Sequence, residues 1–498
     1  MTGQGNPSNR WLYWIAGITA FRIIYLAIFP VGLAGDEAYY WEWGRQPDWG
    51  YFSKPPYIGW QMAVLHWLGW DTTFGIRLPS VLYASGLLVA VYWLGRSLFR
   101  PEAGFTAMLL VALTPGNVVQ GLIATIDSPL LFFWASALLT SWNLFYGKGG
   151  LRWAVLLILC LGLGNLTKQM MLVFPLLLLV VLAMDPMKRK GLADWRLWAG
   201  WAVTLLFLLP PLYWNSQHEW ITFQHTGEHF NRGDVSALKQ VGRFFEFVIA
   251  EAFILNPVLY FAGLGALWGA TRKFGDNAQN RFLWVFSAPA ILVFFFLATR
   301  QRVNPNWPAV FYLAMALLLS GQIDALAKHQ LRKAAIAVGF CLAFLTYALA
   351  FLIPMAHLEG TKMDIFKKFR GYDECGRQLG EFLQTVPERD NMDIVVIGHR
   401  YQLCQFAFNT PGQPRTLAWN DPEAPVTSQY GIWEGLPHMP ARPAIVVIQA
   451  GAPFPKDWGT RYKTLAKLPR TIEIGYNGKL FRRYELYQGT PFPQDTPR

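Results

Sequence analysis

Two adjacent carboxylates, Asp36 and Glu37, follow the first apolar stretch of the chain, in the run Gly35-Asp-Glu-Ala-Tyr-Tyr-Trp-Glu-Trp-Gly-Arg45. Ionisable groups at the edge of a bilayer are costly to place, and they mark a functional site by default. A carboxylate there can take a proton from an acceptor hydroxyl or hold a cation, and both roles suit chemistry on a lipid-borne substrate. A solvated loop start would look alike, but the same loop continues into Tyr51-Phe-Ser-Lys-Pro-Pro56, a second unusual cluster. Tyr39 and Tyr40 add aromatic faces of the kind that stack on sugars.

Further polar groups recur along the chain: Lys54, Arg77, Asp127, Lys168, a His-rich stretch at 218–232, and Arg300-Gln-Arg-Val-Asn-Pro-Asn-Trp-Pro308, which holds Arg300, Arg302 and Asn304. Lys and Arg neutralise phosphate, and a carboxylate serves as general base. Each has a plainer account. Asp127 precedes Ser128-Pro129 at the start of an apolar run and would serve as a helix N-cap. Lys168 would snorkel to the interface, and Arg300 and Arg302 would act as interface anchors. Asp36 and Asp127 together could share a divalent cation. His225 and His229 have the i,i+4 spacing of a metal pair, but Gly227 lies between them and no third ligand is assigned. There is no Gly-x4-Gly-Lys-[Ser/Thr] loop, and Gly263-Leu-Gly-Ala-Leu-Trp-Gly269 reads as helix packing. This speaks against an activated nucleotide as direct donor.

The elements that must carry these residues are membrane helices. Of 498 residues, 53% are hydrophobic, 16% aromatic and only 15% charged, against about 25% charged in an ordinary soluble domain. A net charge of +12 would suggest nucleic acid in a soluble chain. Here the positive residues fall between apolar runs, so they report topology, and no nucleic-acid partner is expected. A span needs about 20 apolar residues. Eleven stretches qualify approximately: 11–31, 77–95, 102–120, 129–146, 152–166, 169–184, 196–214, 244–270, 281–299, 308–326 and 333–354. The fifth and sixth join tightly at Asn165-Leu-Thr-Lys168, and the eighth, with Glu251 and Asn256-Pro257, is expected to be kinked or split. No small-residue cleavage site follows the first, so it reads as a retained span.

Short basic connections, such as Arg96/Arg100 and Lys188-Arg189-Lys190, face the cytoplasm by the positive-inside rule. The longer mixed-charge connections 32–76, 215–243 and the one after Thr299 then face outward, with the N-terminus inside and the C-terminal portion outside. That gathers the candidate site residues on one side of the membrane. The apolar, Trp-rich segment 55–70 is too short to span and reads as an interfacial helix.

From about 357 onward charge, Pro and Gly rise and apolar runs shorten to strand length. Asp393–Gly398 and Ala444–Gln449 read as buried strands and Tyr372–Gln384 as a helix. Two domains follow: 1–356, a transmembrane catalytic domain, and 357–498, a soluble α/β domain outside the membrane. Cys375 and Cys404 lie in the second and could pair in an oxidising compartment.

Together the motifs resemble the GT-C membrane glycosyltransferases of the protein O-mannosyltransferase and lipid A aminoarabinose transferase group. The matching stretches are Gly35–Gly44, Tyr51–Pro56, Arg77-Leu-Pro-Ser80, Thr125-Ile-Asp-Ser-Pro-Leu130 and Gly162-Leu-Gly-Asn-Leu-Thr-Lys168. They keep their order and spacing over the first third. Pro211-Leu-Tyr-Trp-Asn215 and Asn304-Pro-Asn-Trp-Pro308 are softer matches. The resemblance implies a polytopic α-helical fold with about 11 transmembrane helices, outer juxtamembrane helices and a C-terminal α/β domain. It implies a polyprenyl-phosphate-linked sugar as donor, transferred with inversion to a lipid A, lipopolysaccharide or other envelope acceptor, or to a protein hydroxyl. The setting would be a bacterial inner membrane.

Asp36 maps onto the catalytic carboxylate, with Glu37 as its neighbouring alternative. Lys54 and Lys168 map onto the donor phosphate, with Arg300 and Arg302 as further cations. Two positions depart from the aminoarabinose transferases: Ser53 stands where they tend to have Glu, and Tyr39 where they tend to have a basic residue. A transporter of lipid-linked sugars is the rival class, and it would spread ionisable residues through the membrane midplane.

Overall fold

The computed structural model describes residues 9–228, 236–272, 274, 277–421, 424–433 and 442–492. By its internal contacts the chain forms two units. One comprises Met1–Ile28, Lys54–Ile58 and Phe74–Ala348, the other Phe29–Ser53, Gly59–Thr73 and Leu349–Arg498. The second unit begins at Leu349 rather than 357, and it takes in most of the first long connection.

The first unit is helical. Among the described residues, four helices are long and apolar enough to cross a membrane: Arg10–Ile28, Thr73–Leu98, Ala278–Arg300 and His329–Met355. Two bent pairs raise the number to six if each is one span: Trp195–Leu206 with Leu209–Gln217, bent by 44°, and Leu238–Leu255 with Pro257–Arg272, bent by 108°. The chain is thus a polytopic helical membrane protein, but length and composition do not reproduce eleven spans. The reason is local. The apolar run 102–120 becomes Pro101–Ala112 and Pro115–Gln120, split at Thr114-Pro115 because proline starts a new helix and cannot continue the old one. Leu151–Thr167 and Gln169–Met184 are separated by Lys168, which is extended at φ −159°, ψ 139°. The sharp bend lies at Asn256, with φ 86° immediately before Pro257.

These helices pack through small residues and interlocked rings. A Cβ on Gly104 would meet the Tyr92 carbonyl at 2.4 Å, so the helices Thr73–Leu98 and Pro101–Ala112 approach to backbone contact. Trp134 is fully buried, with Phe174 and Phe311 edge-on at 5.1 and 5.2 Å. In the first span, fully buried Arg22 donates from Nε to the Tyr347 hydroxyl at 3.0 Å and from Nη2 to Asn117 Oδ1 at 2.7 Å. A charge in a span needs such partners.

The second unit is α/β. Its five strands are β1 (Asp393–Ile397), β2 (Thr416–Ala418), β3 (Ala444–Gln449), β4 (Thr464–Tyr476) and β5 (Lys479–Thr490), in the order β2-β1-β3-β5-β4. β1 runs parallel to both β2 and β3, with Val395 opposite Leu417 and Val446. Strands buried on both faces need no alternation, which is why Ile-Val-Val-Ile runs form the centre. β4 and β5 form an antiparallel hairpin closed by Asn477-Gly478, both at positive φ, the pair that a two-residue turn of this hand demands. The helix Tyr372–Thr385 lies where its spacing placed it. Cys375 and Cys404 are buried free thiols, so the pairing considered from sequence is not formed.

The segment before Lys54 is woven into this unit. The helix Gly35–Arg45 packs on Arg400–Asn409. A Cβ on Gly35 would fall 2.4 Å from the Tyr401 ring, so only glycine permits that approach. Gln405 Nε2 donates to the Leu33 carbonyl at 2.7 Å, and Phe52 N–H donates to Gln429 Oε1 at 2.7 Å. The Trp43 and Tyr51 rings stack at 4.3 Å, and Trp41 Nε1 donates to Asp71 at 2.7 Å.

Candidate active site

In the second unit, Asp36 and Glu37 start the helix Gly35–Arg45 and part at once. Their side chains are about 100° apart around a helix. Asp36 is exposed, and its Oδ1 accepts a hydrogen bond from the Tyr401 hydroxyl at 2.8 Å. Burial and the Asp36 charge push Tyr401 up to about 12, so it remains a donor at neutral pH. Arg400 lies over the rings of Tyr39 and Tyr401, at 5.3 and 5.0 Å. Burial and Arg400 hold His399 below the usual imidazole range, against the pull of Asp36. Asp36 is therefore an open carboxylate oriented by one phenol.

Glu37 is fully buried, and its Oε2 accepts the Ala34 N–H at 2.8 Å. It caps the helix that presents Asp36 and is closed off from solvent. Tyr39 and Tyr40 are buried as well. Tyr39 accepts the Gln429 N–H and stacks on Tyr430 at 6.0 Å, while Tyr40 lies edge-on to Trp43 at 5.0 Å. Their rings pack the helix instead of offering open faces to a sugar.

In the membrane unit, Asp127 and Lys168 meet. Lys168 Nζ donates to Asp127 Oδ1 at 2.8 Å, and Asn306 Nδ2 to Asp127 Oδ2 at 2.6 Å. Both Asp127 oxygens thus accept from side-chain donors, and the carboxylate does not cap the helix Asp127–Phe145. Lys168 is positioned by a nearly buried carboxylate, with side-chain exposures of 14% and 6%, and does not merely snorkel. Asn306, two residues beyond Asn304, had no signal of its own. Asn304 is exposed, and its carbonyl accepts the Trp307 N–H at 3.0 Å. Lys54 is half-buried.

Arg302 pairs with Glu246 at 2.9 Å, and both are exposed. Arg300 is exposed too, 5.6 Å over the Phe296 ring. Among the described residues, no group of three or more His, Cys, Asp or Glu side chains could hold a metal ion. His229 lies outside the described residues. A cavity of about 350 Å³ runs between the helices, lined mostly by Leu, Val, Ile and Ala, with Asn117, Gln120, Asn306 and Tyr312 as its polar edge.

Comparison with known proteins bears on this arrangement. Residues 53–214 match the family described as dolichyl-phosphate-mannose-protein mannosyltransferase. The lipid A galacturonosyltransferase RgtD of Rhizobium johnstonii is 28% identical over 393 residues, 78% of this chain and 79% of the relative. The lipopolysaccharide core galacturonosyltransferase RgtA of the same organism is 24% identical over 369 residues, covering 70% and 72%. The crystal structure of ArnT from Cupriavidus metallidurans in the apo state superposes with a TM-score of 0.65 over 96% of this chain and 98% of that one, at 16% identity. The chain is similar to each of these proteins, and the likeness to ArnT shows a shared fold.

Proposed function

We propose that the chain transfers a sugar from a polyprenyl-phosphate carrier to lipid A, lipopolysaccharide or a related envelope glycan, at the outer face of a bacterial inner membrane. The observation that carries the chemistry is the exposed Asp36 carboxylate, held by Tyr401 on a helix that Glu37 caps. Asp36 accepts the proton of the acceptor hydroxyl. The hydroxyl oxygen bonds to the anomeric carbon, the bond from that carbon to the phosphate breaks, and its electron pair leaves on the phosphate, with inversion. Lys54 and Lys168 meet the charge that develops on the departing phosphate, where a preorganised cation lowers the barrier most. Asp127 and Asn306 fix Lys168 for that task. Arg300 and Arg302, both exposed and the latter paired with Glu246, are auxiliary.

The names of the relatives favour a uronic acid as the sugar. Ser53 supports this reading, because a Glu at that position would repel a carboxylate-bearing sugar. The family match at 53–214 supports a second reading, in which a protein hydroxyl is the acceptor. Mass spectrometry of glycolipids and glycoproteins from cells with and without the chain decides between them. A hexuronate missing from the glycolipid of the deletion supports the first. A glycan missing only from protein establishes the second, and no change in either removes both.

A further inference from the structure

One cavity of the α/β unit is not used by the chemistry above. It has a volume of about 500 Å³ and lies beyond the carboxyl ends of the parallel strands β1 and β2, lined by His399, Arg400, Trp419, Asn420, Asp421 and Tyr430 among others. In open α/β sheets this is where ligands settle, because the loops leaving adjacent parallel strands part there. Its walls combine two aromatic rings with amide, carboxylate and guanidinium groups, the mixture that holds a sugar ring by stacking and by hydrogen bonds to its hydroxyls. Arg400 brings a guanidinium to this lining. Arg400 Nε makes no hydrogen bond among the described residues. Arg400 Nη1 reaches the Thr427 carbonyl, at 3.5 Å. A guanidinium matches an anionic oxygen group in two-point fashion. Arg400 also adjoins the catalytic carboxylate, because its guanidinium lies over the ring of Tyr401, whose hydroxyl holds Asp36.

We infer that this cavity seats a sugar ring of the acceptor, with an anionic substituent of that ring, phosphate or carboxylate, on Arg400, so that a hydroxyl is offered toward Asp36. The inference rests on the proposed transfer reaction and adds to it the place and chemical class of the acceptor. It makes Arg400 a residue of acceptor selection and gives the α/β unit a binding role.

The test uses the full-length protein in detergent, with glucosamine 1-phosphate, galacturonate and glucose as probes, read by saturation-transfer NMR. Glucosamine 1-phosphate or galacturonate should bind and glucose should not, and whichever binds identifies the anionic group. Arg400→Ala should abolish the signal and Arg400→Lys should restore part of it, while thermal melts report whether each variant is folded. In the transfer assay, Arg400→Ala should raise the KM for acceptor at least tenfold and leave the KM for donor unchanged. Equal binding of glucose, binding retained in folded Arg400→Ala, or a parallel rise in donor KM overturns the inference. Probe binding that Arg400→Ala abolishes, in a protein that transfers no sugar, leaves the cavity assigned and overturns the proposed reaction instead, and a wild-type protein that binds neither anionic probe overturns the inference.

Discussion

Asp36 and Glu37 are neighbours of the same type with opposite fates, and substitution should separate them. Asp36→Asn should lower kcat about 10²–10⁴-fold, the usual loss on removing a general base, with membrane insertion unchanged. Near-normal turnover would remove Asp36 from the chemistry. Glu37→Leu removes the acceptor for the Ala34 N–H and should lower the melting temperature. A cap loss of this kind is worth about 0.5–2 kcal/mol. Gly35→Ala would place a methyl on the Tyr401 ring and displace the phenol from Asp36. It should therefore behave as a catalytic variant although it alters no functional group; kcat is the quantity to follow. Lys168→Ala leaves Asp127 buried with Asn306 as its remaining hydrogen-bond donor, and breaking a buried pair costs about 3–5 kcal/mol. The double variant Lys168→Met with Asp127→Leu should recover most of that stability and none of the donor kinetics. If the double variant restores transfer as well, the pair is structural.

The helix Gly35–Arg45 carries a pH dependence of its own. Burial drives the Glu42 carboxyl up to about 7, and Arg45, 3.4 Å away, offsets this only in part. A raised folded-state value means that the folded protein holds the proton more tightly than the unfolded chain. The stability from protonated Glu42 is complete below about pH 4.5 and is lost as pH rises through about 7. Melting temperatures should fall between pH 5 and pH 8, as stability drops by an amount on the order of 3 kcal/mol at most, and Glu42→Gln should flatten the profile. A flat wild-type profile would show that Glu42 is ionised throughout. The breaks at Thr114-Pro115 and at Lys168 make a related point about elements: they interrupt apolar runs and, at Lys168, bring a polar side chain to Asp127.

At the scale of the whole molecule the open quantity is orientation. A reporter active only in the cytoplasm, fused after Arg498, should be silent if the basic connections face inward. Activity there would put the α/β unit on the wrong side for an outer-face reaction.

Much of this protein was legible along the chain. The apolar runs, the sparse charge and the short basic connections defined a polytopic helical membrane protein, because bilayer thickness and the cost of burying charge act on composition alone. The Ile-Val-Val-Ile runs announced β1 and β3 through their uniform burial. Asp36 stood out because a carboxylate at the end of an apolar stretch is rare, and Lys168 because it interrupts one.

What sequence spacing could not resolve was which residues meet. Asp127, Lys168 and Asn306 are joined across gaps of 41 and 179 residues, and Tyr401 reaches Asp36 across 365. No periodicity links positions so far apart, because such contacts are set by how helices and strands pack. The same packing buried Glu37, Tyr39 and Tyr40 while leaving Asp36 open. Composition and bilayer physics determine which residue types stand near the membrane edge; tertiary structure decides which of them face solvent and which other side chain each one meets.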